Sequence, residues 1–269
     1  MRFYRIFNLL SLDVAFGAMI SAGLFGRILH VHLLPQGFIL LGIIVWLIYT
    51  ADHLLDAWSM RETAISERHR FHQQHFVTIL IIFLLAGIVA LGLLFLIRIQ
   101  VINTGIFFGI FVVMYLLVSR WLKYFKELSG SLLYTGGILL PAWSLHTGIV
   151  SQYQAILIII FALIAFTNML IFARFSIEED ILNRQKSLAT IMGIQPMNSL
   201  ISIVTAICFC VMIYAATIAL TPELVLMFVM ELVLLVIFVV KYFRYNDRYR
   251  LYGDAIFLLP AILLLNPNS

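Results

Sequence analysis

Asp52 and Asp56 stand four residues apart in YTADHLLDAWSMRETAISERHRFHQQH, the stretch from Tyr49 to His75 that closes a long apolar run. On a helix this spacing puts both carboxylates on one face. Two neighbouring anions at a hydrocarbon boundary repel each other and resist desolvation, so they call for a shared cation or a cluster of donors. Arg61, Arg68 and Arg70, with His69, His72 and His75, follow at once. A carboxylate pair trailed by basic residues under an apolar helix points to a site for a metal ion and a phosphate. A second acidic group, Glu178, Glu179 and Asp180, follows another apolar run and precedes Arg184 and Lys186. Asp56 and Asp180 are 124 residues apart, as are Asp52 and Ser176. That common offset reads as a weak internal repeat whose loops face each other across a central cavity.

The elements that must position these residues are membrane helices. The chain has 269 residues, 63% of them hydrophobic and 11% charged, and a mean hydropathy of +1.07, which leaves too little polar surface for a soluble globule. A bilayer span needs roughly 20 apolar residues, and the sequence predicts nine: about 7–29, 36–57, 76–97, 101–121, 129–149, 153–175, 198–220, 223–243 and 251–266. No cleavable signal peptide is expected, because the first apolar run continues without a small-residue cleavage site. Spans three and four, joined by little more than residues 98–101, are expected to form a tight antiparallel hairpin.

The net charge of +4 resolves into an asymmetry between the two faces and gives no reason to expect nucleic acid. With the N-terminus inside, 15 of the 17 Lys and Arg residues fall in cytoplasmic segments, leaving Arg27 and Arg98 outside. The positive-inside rule then gives N-in, and an odd number of spans gives C-out. The expectation is one all-α polytopic domain over residues 1–269, nine transmembrane helices around a central cavity, in a bacterial inner membrane. Asp13 in span one and Glu231 in span eight are costly in lipid and should face the interior. Arg120, Lys123 and Lys126, around Trp121 and Tyr124, form a basic and aromatic belt suited to an interface or an anionic headgroup. Cys208 and Cys210 point to different faces of one helix and read as small apolar core residues.

With acidic motifs at the cytoplasmic ends of spans two and six, the layout resembles the UbiA superfamily of intramembrane prenyltransferases along essentially the whole chain. That family carries NDxxDxxxD after span two; Asp52 and Asp56 match its last two aspartates, while Ile48 and Tyr49 stand at its Asn and first Asp. Its second motif, DxxxD with a basic stretch and a TLA-containing segment, is matched by Asp180, Lys186, Ser187-Leu188-Ala189 and Gly193, with Ser176 at the first Asp. Tyr115 matches the tyrosine of a YxxxK motif whose lysine is Ser119 here, with Arg120 adjacent. Arg68 or Arg70 falls where the family places a conserved-motif arginine.

The resemblance implies a prenyltransferase that moves a prenyl group from a prenyl diphosphate to an aromatic or lipidic hydrophobic acceptor. Mg2+ would be held by Asp52, Asp56, Asp180 and Glu179. Arg61, Arg68, Arg70, Tyr115, Arg120, Lys123 and Lys186 would meet the diphosphate. Asp52 and Asp56 would face Asp180 across a cavity open to the cytoplasm. The altered motif positions support an alternative, a non-catalytic scaffold of the same fold that binds a lipid or a partner protein. A metal-dependent oxidase built on His53, His69, His72 and His75 is less well supplied, since His30, His32 and His146 lie on the opposite side. A transporter is disfavoured because the acids sit at one membrane edge and not near the midplane.

Overall fold

The computed structural model describes residues 2–59, 67–118, 122, 124–182 and 187–265; the side chains of residues 2, 3, 56, 59 and 67–69 lie outside the described set. All regular secondary structure in these residues is helical, in the order α1 (Arg2–Leu9), α2 (Leu12–Ile28), α3 (Pro35–Ser59), α4 (Glu67–Gln74), α5 (Phe76–Leu94), α6 (Ile99–Val118), α7 (Lys126–Leu145), α8 (Gln152–Phe175), α9 (Ile177–Leu182), α10 (Leu188–Met192), α11 (Ile194–Ile218), α12 (Pro222–Val239), α13 (Arg248–Ala255) and α14 (Ala261–Leu264). Short 3-10 turns at Lys241–Arg244 and Ile256–Leu258 flank α13.

Local chemistry fixes several boundaries. Ser151 and Gln154 form a reciprocal capping box that starts α8, and Ser187 with Thr190 does the same for α10. Thr221 accepts from the Leu224 amide, with Pro222 in the first turn of α12. Gly193, at φ +82°, turns the chain between α10 and α11, a conformation that a residue with a Cβ resists.

Among the described residues, six helices are long and apolar enough to cross a membrane: Pro35–Leu55 within α3, α5, α6, α8, α11 and α12. The chain is therefore an all-α polytopic membrane protein. Three expected spans take other forms. The run at 7–29 breaks at Leu10–Ser11, where Ser11 adopts a left-handed conformation at φ 54°, leaving α2 with 17 residues. The run at 251–266 divides into α13, a 3-10 turn and α14, because Pro260 brings no N–H to continue a helix. The run at 129–149 becomes α7, whose N-terminal half is polar with Glu127, Ser129, Ser131, Tyr134 and Thr135.

Helix α8 lies at the centre, packed by α2, α7, α11 and α12. Ile160, Phe161, Ile164, Leu170 and Ile171 are fully buried on it, and Phe161 meets Phe25 of α2 edge-on at 4.9 Å between ring centroids. Lipid tails are as apolar as these side chains, so close packing and interhelical polar bonds hold such a bundle together. Arg27 supplies such bonds at the C-terminal end of α2, with Nε 3.1 Å from Glu223 Oε1 of α12 and a second nitrogen donating to the Leu263 carbonyl. Asp13 and Glu231 are fully buried, as their cost in lipid requires. Cys208 is buried, but Cys210 is exposed on the outer side of α11, the opposite-face geometry applied to a helix with one lipid side.

The hairpin of α5 and α6 is splayed, not tight. Helix α5 packs on α3 and α6 on α7, while α5 and α6 touch each other only weakly. Phe108 accounts for the α6 side: its ring lies over Gly136 of α7, where a Cβ would come within 2.8 Å of it. Only Ile79 and Ala90 of α5 are buried, and no residue of α6 is, so both helices lie at the edge of the bundle, each with one partly buried face and the rest open to lipid.

Glu231 joins α12 to α8. Its Oε1 accepts from the Thr167 hydroxyl at 3.2 Å, and its Oε2 has no partner among the described residues. Glu231→Gln keeps the shape and the acceptor, so its unfolding free energy in detergent should fall by less than about 1 kcal/mol. Glu231→Ala leaves the Thr167 hydroxyl unpaired and opens a cavity, and should cost about 2–4 kcal/mol in the same measurement.

Candidate functional site

The C-terminal ends of α3 and α6, the N-terminal ends of α7 and α13, and α9 converge on one polar region. Asp52 is exposed on α3 and acts electrostatically on Tyr115 of α6, as does Glu127 of α7. The Tyr115 hydroxyl donates to the Lys126 carbonyl at 3.4 Å. Glu127 in turn feels Lys126 and Asp180, and Asp180 feels Arg250, Lys126 and Glu179. The two acidic segments thus lie within electrostatic reach of a common set of charged and phenolic side chains, Tyr115, Lys126, Glu127 and Arg250. Among the described residues, no three His, Cys, Asp or Glu side chains lie close enough together to hold a metal ion.

Glu127 sets the geometry of the second segment. It is buried, and its Oε1 accepts from the Leu188 amide at 2.9 Å, at the first turn of α10. An anion at the start of a helix satisfies an otherwise orphaned N–H. Its Oε2 is buried without a partner among the described residues.

Asp180 sits half-buried on α9, outside the membrane-spanning helices. Burial pushes its carboxyl above the usual aspartate range; a bond from Ser187 and the charges of Arg250 and Lys126 pull it back, and Glu179 pushes it up again. The proton therefore leaves Asp180 at a higher pH than it leaves an unfolded aspartate. Any cation bound by the ionised carboxylate should lose affinity as pH falls through that raised value, and its binding should release protons near it. The same shift makes the ligand-free protein gain stability on acidification through the window between the unfolded and folded values. Calorimetry of Mg2+ binding in two buffers of different ionisation enthalpy checks the first expectation.

Of the residues singled out in the sequence, Asp52, Tyr115, Glu179 and Asp180 fall in or beside this region. Arg70 is exposed on α4, a helix packed on α3. Arg61, Arg120, Lys123 and Lys186, and the side chains of Asp56 and Arg68, lie outside the described residues. Ser176 turns its hydroxyl back onto the Phe172 carbonyl at 2.8 Å and caps its own helix, so it offers no replacement for an acid. His53 and His72 meet at 5.0 Å between ring centroids with their planes tilted by 57°, and His53 Nε2 lies 3.3 Å from Ser11 Oγ; they join α3, α4 and the break before α2.

Sequence reasoning missed Glu127 altogether, read Lys126 as part of a basic interface belt and counted Arg250 only among the cytoplasmic charges. Arg250 reaches the acids of α9 because α13 packs on α8, just before α9, and its Nε lies 3.3 Å from the buried Tyr249 hydroxyl.

Below this region, α2, α3, α7, α8 and α13 enclose a cavity of about 90 Å3. Tyr49, Ser131, Tyr134, Asn168 and Asp254 give it polar walls, and Met169, Phe172 and Phe257 apolar ones; neither Asp52 nor Asp180 lines it. Behind Asp254, one amide nitrogen of Asn8 donates to Asp13 and, at 3.2 Å, to Asp254. This polar knot closes the break between α1 and α2 onto α13.

The geometry has counterparts among solved structures. A UbiA homolog from Archaeoglobus fulgidus bound to GPP and Mg2+ superposes with a TM-score of 0.69 at 14% identity, covering 96% of this chain and 98% of that chain. A UbiA homolog from the same organism bound to DMAPP and Mg2+ gives a TM-score of 0.59 at 11% identity, covering 98% of each chain. No family model matches the sequence, and no curated protein does. At this identity the likeness is one of fold: the chain has the UbiA fold over nearly its whole length.

Proposed function

We propose that the protein is an intramembrane prenyltransferase that takes a prenyl diphosphate with Mg2+ at the region between Asp52 and Asp180 and passes the prenyl group to a hydrophobic acceptor. The observation that carries this reading is the set of charged and phenolic neighbours within reach of the two acidic segments, Tyr115 and Glu127 among them, in a fold shared with a homolog bound to GPP and Mg2+. The nine-span, N-in arrangement belongs to the same proposal. Cysteine labelling that placed residues 66 and 182 on opposite faces of the membrane would overturn it.

The residues present fit a magnesium ion. Mg2+ takes one or two carboxylates and completes its shell with phosphate oxygens and water, and Asp180, with Glu179 within electrostatic reach, would supply one side of that shell. Asp52 and Asp56 would supply the opposing carboxylates. When bound, the metal neutralises charge on the departing diphosphate.

The remaining work falls to the protein. Arg250 and Lys126 offset the acids and give phosphate oxygens positive partners. Arg70, Arg68, Arg61, Arg120, Lys123 and Lys186 are the further cations of this face. Glu127 is a positioning residue: by fixing the Leu188 amide it holds the 187–193 turn, and through it Asp180. Phe172 and Tyr249, in edge contact at 5.8 Å, form part of the apolar wall that keeps water from the allylic carbon. Incubation with a radiolabelled prenyl diphosphate and a panel of acceptors, with and without magnesium, tests the activity through diphosphate release and product formation.

A second reading, a scaffold that binds a lipid or partner without catalysis, draws on Ser176, whose hydroxyl is committed to its own helix. It predicts metal-independent ligand binding and no diphosphate release.

A further inference from the structure

Outside the region of Asp52 and Asp180, positive charge gathers where α8 and α12 both end. The guanidinium of Arg174, in the last turn of α8, lies 5.7 Å from the centre of the Phe175 ring. That of Arg244, in the 3-10 turn after α12, lies 5.5 Å from the same point. The two like charges are within electrostatic reach of each other. Each is fixed by a neutral partner: Arg174 Nε donates to Asn198 Oδ1 at 2.7 Å, and Arg244 donates to the Phe238 carbonyl near the end of α12. No carboxylate lies within ion-pair distance of either among the described residues; Glu178, exposed on α9, acts on Arg174 from further off. Lys241 is exposed in the same 3-10 turn, and Arg248 lies 4.0 Å from the centre of the Tyr242 ring. Cations gathered on one ring without a carboxylate between them call for an anion.

We infer that Arg174 and Arg244 hold the phosphate of an anionic phospholipid at the membrane edge, beside the ends of α8 and α12. Place decides for a lipid over a soluble anion. Both helices are long and apolar enough to cross the membrane, so their shared end lies where hydrocarbon gives way to head groups. Leu232, Val236 and Val239, all exposed, follow one another along α12 at helical spacing. They form an apolar track for an acyl chain that leads up to Lys241. Tyr242 and Tyr245, both exposed, belong to the residue types that sit at head-group level. A phosphodiester offers oxygens to two guanidiniums at once, and each basic residue near a membrane surface strengthens the hold on an anionic lipid about fivefold. A lipid seated there ties the turn before α13 to the end of α8. The site plays no part in the transfer of a prenyl group, so it stands or falls independently of that reading.

The test uses the full-length protein, delipidated in a neutral detergent and titrated in a calorimeter with three probes. These are dioctanoyl-phosphatidylglycerol, dioctanoyl-phosphatidylcholine, whose fixed cation cancels the phosphate charge, and glycerol phosphate, which has no acyl chains. Protein-free micelles correct for partition. Phosphatidylglycerol should bind saturably and at least about tenfold more tightly than phosphatidylcholine, and glycerol phosphate should not displace it. Arg244→Gln should weaken phosphatidylglycerol about fivefold or more. Arg98→Gln, which removes an exposed arginine between α5 and α6, should leave it unchanged. Equal binding of the two lipids by the wild type overturns the inference, as does an equal loss in the two variants. Glycerol phosphate bound as tightly as phosphatidylglycerol would mark a soluble-anion site and overturn the assignment to lipid. Should Arg244→Gln fail to fold, the wild-type comparison of the two lipids decides alone.

Discussion

Asp180→Ala should lower magnesium-dependent binding of GPP by more than about 100-fold, the scale on which a metal site fails when a ligand or its support is removed. Asp180 is the matched acid of the second segment, it is half-buried, and Ser187, Arg250, Lys126 and Glu179 all act on it. A cation shared with a diphosphate would make up for the lost solvation of this carboxylate, and alanine removes the charge that attracts the cation. Glu179→Ala, read in the same titration, separates two cases. Full binding would mean that Asp180 works without its neighbour; a comparable loss would mean that the pair acts together.

The second large effect belongs to a residue that need not touch substrate. Glu127→Ala removes the acceptor of the Leu188 amide and leaves a buried N–H unsatisfied, at about 1–3 kcal/mol of folding stability. It also frees the turn that carries Ser187, so GPP affinity should drop by about 10- to 100-fold, as for other supports of a metal site. Glu127→Gln retains an oxygen for that amide while losing the charge. A structural role alone predicts that Gln restores both stability and affinity. Participation of the carboxylate in cation binding predicts restored stability with affinity still low, and thermal unfolding paired with GPP titration tells these apart.

Much of this architecture is legible in the amino-acid pattern, and for a physical reason. Apolar runs of bilayer length can only be helices in lipid, since every backbone group must be bonded within the segment, and α3, α5, α6, α8, α11 and α12 follow from that alone. The expectation weakens where helices are short or polar. Nothing in the run at 7–29 marks Ser11 as a left-handed break; the break is held by the bonds of Asn8 to Asp13 and Asp254, the last of them 246 residues away. The splay of α5 and α6 is similar, because a short connection suggests a tight pair but Phe108 packs better against the glycines of α7.

The site divides along the same line. Asp52 and Asp180 stand out because carboxylates are rare and costly beside apolar helices, and Tyr115 through its place in the family's motif. Glu127 and Arg250 do not stand out: each lies among other charges on its own segment, and only the packing of α7 and α13 around α8 brings them to α9. Asn168 and Tyr134 are harder still to find, since an amide and a phenol within apolar helices look like ordinary interior residues until the cavity they line is seen.

Equilibrium binding of radiolabelled GPP to the purified protein, with and without magnesium, tests the central claim most directly. Saturable binding that requires magnesium in the wild type, and is lost in Asp180→Ala protein of normal thermal stability, is the predicted result. Absence of GPP binding by folded wild-type protein in magnesium, or binding that is indifferent both to the metal and to Asp180, would contradict it.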